Sequence, residues 1–213
     1  MSSMLQVAVL GSGRGSNFQA ILDALQRSAL PSVRIRVVIS NNSGSGILEI
    51  ARVHAIPAIH LSQRQFPGEE EFVAALLQTF RQHEVNFIAL AGYMKQLHHR
   101  VIAAYRNRII NIHPALLPKY GGKGMYGKHV HETVVANRER VTGATVHIVD
   151  EEFDRGPIVL QRQVTIEPDD SPEQVAAKVL AIEHEIYPQA LRLFAGGKVK
   201  VAGRTVTIEQ SVK

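Results

Sequence analysis

The chain contains no cysteine, and that single absence removes disulfides, thiol nucleophiles and cysteine-ligated zinc or iron–sulfur sites together. It also lacks an early apolar leader and any 18-residue apolar run, so nothing reads as a secretion signal or a membrane span. A cytoplasmic location without a membrane partner is expected. No internal repeat or low-complexity linker interrupts the 213 residues, which predicts one domain over residues 1–195 and a short tail over 196–213. Charge of one sign is not concentrated either. The net charge of +5 and pI of about 9.6 invite a nucleic-acid reading, but the basic residues are scattered and clusters such as "RQHE" and "KVK" are short. A small anionic ligand accounts for that balance as well, and no nucleic-acid partner is expected. The sequence assigns no oligomeric state.

What is present is 45% hydrophobic content, enough to bury a sizeable core, and a regular alternation of patterns. Residues 4–10 form a short apolar run that stops at Gly11, after which Phe18, Ile21, Leu22 and Leu25 recur at helical spacing. The alternation continues through "VRIRVVIS", "GILEIARVHA", "PAIHL", "EEEFVAALLQTFRQH", "VNFIALAG", a helical stretch from about 98 to 105, and "RIINIH". Strands alternating with helices predict right-handed crossovers and an α/β fold: an open, mostly parallel twisted sheet with helices on both faces. Past residue 122 the rhythm changes. A Gly-rich loop, "YGGKGMYG", leads to a helix near 128–138, then to strands "GATVHIV" and "PIVLQRQVTI" around the loop "DEEFDRG", and to a helix from Ser171 to about Phe194. This C-terminal part is expected to complete the sheet in a mixed sense. The tail "GGKVKVAGRTVTIEQ" reads as a hairpin turning at "AG", with no chemistry assigned.

Chemistry can be carried by three stretches. In "GSGRGSN", Gly11 to Asn17, glycines allow close backbone approach, and free N–H groups at a helix start favour an anion such as phosphate. Walker A would need Gly-Lys-Ser/Thr; the dinucleotide fingerprint would need a third glycine where Ser16 stands, and Ser40-Asn41 replaces its carboxylate. A plain turn capped by Ser16 or Asn17 is the alternative. In "RIINIHP", Asn111 and His113 share one strand face and Ile110 and Ile112 the other. The polar pair stands where ligands bind in open α/β sheets, beyond a strand's carboxyl end; alone, it could equally be a satisfied pair fastening a loop. In "DEEFDRGP", Asp154 could reach a histidine at the sheet edge, raise its pKa and orient it, although an acidic turn by itself is ordinary turn chemistry. His129 and His131 form an H-x-H without a third ligand at readable spacing, so a helix-surface or loop role is expected rather than metal. His98-His99 reads as a helix start, and His54 and His60 as packing or surface positions.

Taken together, "VLGSGRGSN", "ISNNSGSGILEIA", "LAGYMKQL", "NIHPALLPKYGG", "TGATVHIVDEEFDRGPI" and "EHEIYP" resemble the glycinamide ribonucleotide transformylases, folate-dependent formyltransferases of purine synthesis. The resemblance covers about residues 4–195. It implies transfer of the formyl group of 10-formyltetrahydrofolate, as co-substrate, to the amine of glycinamide ribonucleotide through a tetrahedral oxyanion, with no metal. The family's catalytic set falls on Asn111, as oxyanion donor, His113, as oxyanion stabiliser and proton shuttle, and Asp154, as the group holding the imidazole in its useful protonation state. It also implies that Gly15, Ser16 and Asn17 hold the ribose phosphate, with Met94 against the substrate and Glu183 on its polar end. The folate is implied to use Tyr93, Met94, Lys95, Gln96, Leu97, Ile102, Asn111 and the loop from Asp150 to Asp154.

The chain departs from the family pattern at Leu180, where relatives often have a polar residue, at Glu69, where a basic one aligns, and in a longer "GGKGMYGK" loop. A formyltetrahydrofolate hydrolase or a methionyl-tRNA formyltransferase on the same fold is the near rival. The hydrolase normally carries an extra N-terminal domain and the tRNA enzyme an extra C-terminal one; with the first strand starting at about residue 4 and a short tail following the last helix, neither is the expected reading. A non-catalytic nucleotide-binding module would need the glycine loop but not Asn111, His113 and Asp154.

Overall fold

The computed structural model describes residues 4–209; residues 1–3 and 210–213, the ends of the expected domain and tail, lie outside the described residues. Five parallel strands form first: β1 (Leu5–Leu10), β2 (Val33–Ser40), β3 (Ala58–His60), β4 (Phe87–Leu90) and β5 (Ile109–His113). Between them run α1 (Ser16–Gln26), α2 (Gly46–Val53), α3 (Glu69–Gln82) and α4 (His99–Ala104). After α5 (Lys128–Ala136) come β6 (Val141–Ile148) and β7 (Ile158–Thr165), then α6 (Pro172–Ala195). The seven strands lie in the order β3-β2-β1-β4-β5-β6-β7, the last two antiparallel. The expected open, mostly parallel sheet with a mixed C-terminal part is what forms.

The strands read as continuous apolar runs because both faces of the sheet are covered. Val7 and Val9 of β1 pack into one core with α1, α2, α5 and α6, while Ala8 and Leu10 pack into another with α3 and α4. In β5, Ile110 and Ile112 belong to the first core and Ile109 to the second, so the alternation places Asn111 and His113 toward the α3–α4 side. Strand order reverses between β1 and β4. Crossovers leave in opposite directions there and open a crevice at the strands' carboxyl ends.

The chain after β5 is fastened by β6. The Thr145 hydroxyl donates to the Ala115 carbonyl (2.6 Å) and accepts from the Leu117 N–H (3.1 Å), while Gln161 donates to the Leu117 carbonyl (3.0 Å). Helix α6 starts at a capping box, Ser171 with Gln174, with Pro172 in its first turn. The tail forms the expected hairpin, β8 (Val199–Ala202) and β9 (Thr205–Ile208). Its turn is one residue later than expected: Ala202 pairs with Thr205, and Gly203-Arg204 makes the corner. Gly203, at φ 59, supplies the positive φ that the first corner position needs.

Tyr187 ties α6 to the crevice. It is fully buried, and its hydroxyl donates to the Leu90 carbonyl at 2.8 Å and lies 3.4 Å from that of Ile110. The phenol therefore bridges β4 and β5 just below Asn111. Tyr187→Phe leaves buried carbonyl oxygen without its donor and should cost about 1–3 kcal/mol, measured by urea denaturation. A loss below about 0.5 kcal/mol would mean that this bridge contributes little.

Candidate active site

Two cavities open in the crevice. The larger, about 500 Å³, is lined by Asn17, Gly92, Met94, His113, the Gly122–Gly127 loop, His131 and Glu183, and its volume suits a small-molecule ligand. The smaller, about 80 Å³, is lined by Leu90, Gln96, Leu97, Ile102, His147, Val149, Asp150 and Glu152. Tyr93, Lys95, Asn111, Phe153 and Asp154 line both. Asn111 and Asp154 thus stand in the wall where an occupant of one cavity meets an occupant of the other.

The glycine loop is shaped by close packing. Gly15 takes φ 86, and a Cβ there would lie 2.8 Å from the Ile47 Cα, so glycine is required on two counts. It is also the N-cap of α1, and no side chain caps that helix; the alternative of a cap by Ser16 or Asn17 is not realised. The Asn17 amide instead donates to Glu183 Oε2 at 2.6 Å across the crevice. Both residues are buried, and among the described residues Asn17 Oδ1 has no partner. A buried amide oxygen without a donor marks a place for a ligand donor. Burial pushes the Glu183 carboxyl up to about 7, against the opposing hydrogen bond from Asn17.

At the junction, Asp154 holds two imidazoles. Its Oδ2 lies 3.5 Å from His113 Nδ1 and accepts the Gly122 N–H at 2.9 Å; its Oδ1 lies 3.5 Å from His147 Nε2. His113 Nε2 is 2.8 Å from the Tyr120 carbonyl, so the ring's second nitrogen donates to backbone rather than into the cavity. His147 Nδ1 is 3.0 Å from the Ile148 carbonyl and Nε2 is 3.1 Å from Asn111 Nδ2. With Nδ1–H donated to that carbonyl, a neutral His147 ring presents a bare Nε2, which accepts one N–H of Asn111. The other amide N–H of Asn111 is left for the cavity.

The charges at this junction are set against burial. Burial lowers the pKa of His113 below its ordinary value; the Asp154 charge and the hydrogen bond to Tyr120 oppose this, and His147 adds to it. Burial raises the carboxyl of Asp154, but the neighbouring His147 ring, the His113 charge and the Gly122 N–H outweigh it, leaving Asp154 below the usual carboxylate range. The carboxylate is ionised at neutral pH. Such a cluster can orient a neutral imidazole, present an amide donor and receive a proton.

Comparison with known proteins gives the same direction. A family model described as formyl transferase matches residues 5–191. The Escherichia coli (strain K12) protein named phosphoribosylglycinamide formyltransferase is 35% identical over 92% of this chain and 90% of its own length. The chain belongs to the phosphoribosylglycinamide formyltransferase family. The chloroplastic member from Vigna unguiculata is 39% identical over 87% of this chain, which spans only 59% of that protein's length. A crystal structure of glycinamide ribonucleotide transformylase 1 from Symbiobacterium toebii superposes with a TM-score of 0.90 at 38% identity, covering 97% of this chain and 95% of that one.

Of the residues the family resemblance implied, the structure brings Asn111, His113 and Asp154 together and sets Asn17, Met94 and Glu183 around the larger cavity. Tyr93, Lys95, Gln96, Leu97, Ile102, Asp150 and Asp154 surround the smaller one. Gly15, Ser16, Leu180 and Glu69 line neither. Two histidines were missed. His147 lies directly across from Asn111 in the β5–β6 ladder, a neighbour that appears only once register is known. His131, expected at a helix surface or in a loop, is buried and lines the larger cavity with its Nδ1 unpartnered among the described residues, whereas His129 is exposed. Burial, then the His113 charge, lowers the pKa of His131. Its position i+3 from Lys128 on a short helix gave no inward signal.

Because Asp154 raises the His113 pKa against burial, Asp154→Asn should lower it further, by roughly one to three pH units for an opposite charge this close. Histidine NMR titration of the two proteins reads this directly. An unchanged or higher His113 pKa would show that Asp154 does not act on the ring.

Proposed function

We propose that the chain transfers the formyl group of 10-formyltetrahydrofolate to the amine of glycinamide ribonucleotide, the reading supported by family membership and by one observation above others: Asn111 and Asp154 line both cavities at once. In this reading the larger cavity takes the ribonucleotide, its phosphate toward Gly15, Ser16 and the N-terminus of α1, and its polar end toward Asn17 and Glu183. The smaller takes the pterin ring of the folate against Leu97 and Ile102. The amine attacks the formyl carbon, forming a tetrahedral intermediate whose oxyanion accepts the free N–H of Asn111. The bond to the folate nitrogen then breaks as that nitrogen gains the proton the amine loses. His113 carries that proton, which requires its Nε2 to exchange the Tyr120 carbonyl for the reacting atoms, with Asp154 steadying the charged ring.

The proposal treats residues 1–195 as the formyltransferase domain and 196–213 as an appended tail. It includes a cytoplasmic location and small-molecule partners without nucleic acid. Many surface cations are already paired, Arg36 with Glu84, Arg106 with Glu151 and Lys178 with Asp170, which supports the last point. Among the described residues no helix is long and apolar enough to cross a membrane, and no group of three or more potential metal ligands occurs.

The test mixes the chain with 10-formyltetrahydrofolate, with and without glycinamide ribonucleotide, and follows loss of the formyl folate. Turnover should require the amine, and Asn111→Ala should lower kcat and kcat/KM together by about a hundredfold, as expected for a lost oxyanion donor. Turnover without the amine would make the chain a hydrolase. Ribonucleotide binding without turnover would make it a binding module.

A further inference from the structure

The hairpin of β8 and β9 reaches the proposed formyl-donor cavity through one side chain. The loop between β6 and β7, Asp150 to Gly156, supplies Asp150, Glu152, Phe153 and Asp154 to that cavity. On its inner side it is held by Asp154, through His113, His147 and Gly122. Its outer side has little of its own. Glu151, Glu152 and Phe153 are exposed, the Glu152 N–H donates to Asp150 Oδ1 at 3.0 Å, and Arg106 pairs with Glu151 at the surface. Further bonds come from the hairpin corner. The Arg204 guanidinium donates to Asp150 Oδ2 at 3.3 Å and to the carbonyl oxygen of Arg155.

These two acceptors stand at the two ends of the loop. Asp150 is its first residue, and Arg155 follows directly on Asp154, so one guanidinium staples the loop shut across its base. The geometry suits arginine, whose planar fork donates in two directions at once. Asp150 divides its carboxylate between them: Oδ1 holds the loop's internal turn and Oδ2 holds the hairpin. A cavity of about 210 Å³, lined by Ile102, Asn107, Pro157 and Gly203 among others, lies between the hairpin corner and the loop. Arg204 bridges that gap rather than joining a packed interface.

We propose that Arg204 is a positioning residue for the formyl-donor side of the site, setting the Asp150–Gly156 loop that presents Asp154 and the wall of the smaller cavity. This rests on the functional reading above and assigns the tail a role that the sequence left blank. Its action is on loop geometry more than on folding. The Arg204 side chain is 62% exposed, and ion pairs at that exposure contribute little to global stability. On the ribonucleotide side the polar bonds given for Asn17, Met94 and Glu183 go to one another or to Ser12 and to no hairpin residue.

The test compares the full chain with Arg204→Ala and, as a hairpin control, Lys200→Ala, which removes the Lys200–Glu209 ion pair on the same hairpin. Steady-state transfer is measured with each substrate varied, and amide hydrogen exchange is followed by mass spectrometry. For Arg204→Ala, KM for 10-formyltetrahydrofolate should rise about three- to tenfold, the loss of one or two partly exposed charge-assisted bonds, with KM for glycinamide ribonucleotide unchanged. Exchange should quicken over residues 150–156 and stay the same over β8 and β9, while Lys200→Ala changes neither. An unchanged KM for the formyl folate together with unchanged loop exchange overturns the proposal. So does a rise in both KM values with faster exchange throughout the hairpin, which would make Arg204 a general support of the tail. If the parent chain turns over no formyl folate, the functional reading fails, and the exchange comparison still decides whether Arg204 sets the loop.

Discussion

A carboxylate buried between two imidazoles is the constraint on which the site depends. Asp154 loses most of its contact with water, and a charge in that position is strongly unfavourable unless it is paired and hydrogen-bonded. The surrounding chain sets the Gly122 N–H and the His113 ring against one oxygen and the His147 ring beside the other. Each of these partners is itself held by backbone, His113 by the Tyr120 carbonyl and His147 by that of Ile148. The result is a network in which every ring nitrogen has an assigned neighbour. The Asn111 amide takes its orientation from that assignment.

Such a network is possible only because the sheet changes sense after β5. The chain returns from α5 as β6, which runs antiparallel to β5 and sets His147 opposite Asn111 and Thr145 opposite His113. Thr145 then fastens the loop that leaves the strand, and the β6–β7 turn returns Asp154 to the carboxyl ends of β4 and β5. On the other side, the reversal of strand order between β1 and β4 opens room for the ligands. The mixed C-terminal part of the sheet is therefore part of the candidate site as well as of the core.

Much of this was legible in the sequence, for identifiable reasons. The alternation of β-branched runs with helical spacing fixed the element order, because period-2 and period-3.6 patterns differ plainly over such lengths. Asn111 and His113 stood out as polar residues interrupting isoleucines, and their shared face followed from strand geometry alone. His147 was hidden by the same rule. It lies in "TVHIV", where a histidine on a two-sided buried strand looks like any packed residue until the partner strand is known. His131 was hidden by the company of His129, since an H-x-H on a short helix does not say which histidine turns inward. Arg204 gave no signal, because a basic residue in a hairpin corner is ordinary until the loop it reaches is placed beside it.

In the proposed reaction the formyl group passes straight from one cavity's occupant to the other at the Asn111–Asp154 wall. A rapid-quench single turnover with formyl-labelled 10-formyltetrahydrofolate and excess glycinamide ribonucleotide tests that transfer most directly. Label should move from folate to the ribonucleotide amine with none on the protein and none as formate at any time. Label accumulating on the chain, or formate appearing ahead of the formylated amine, would contradict it.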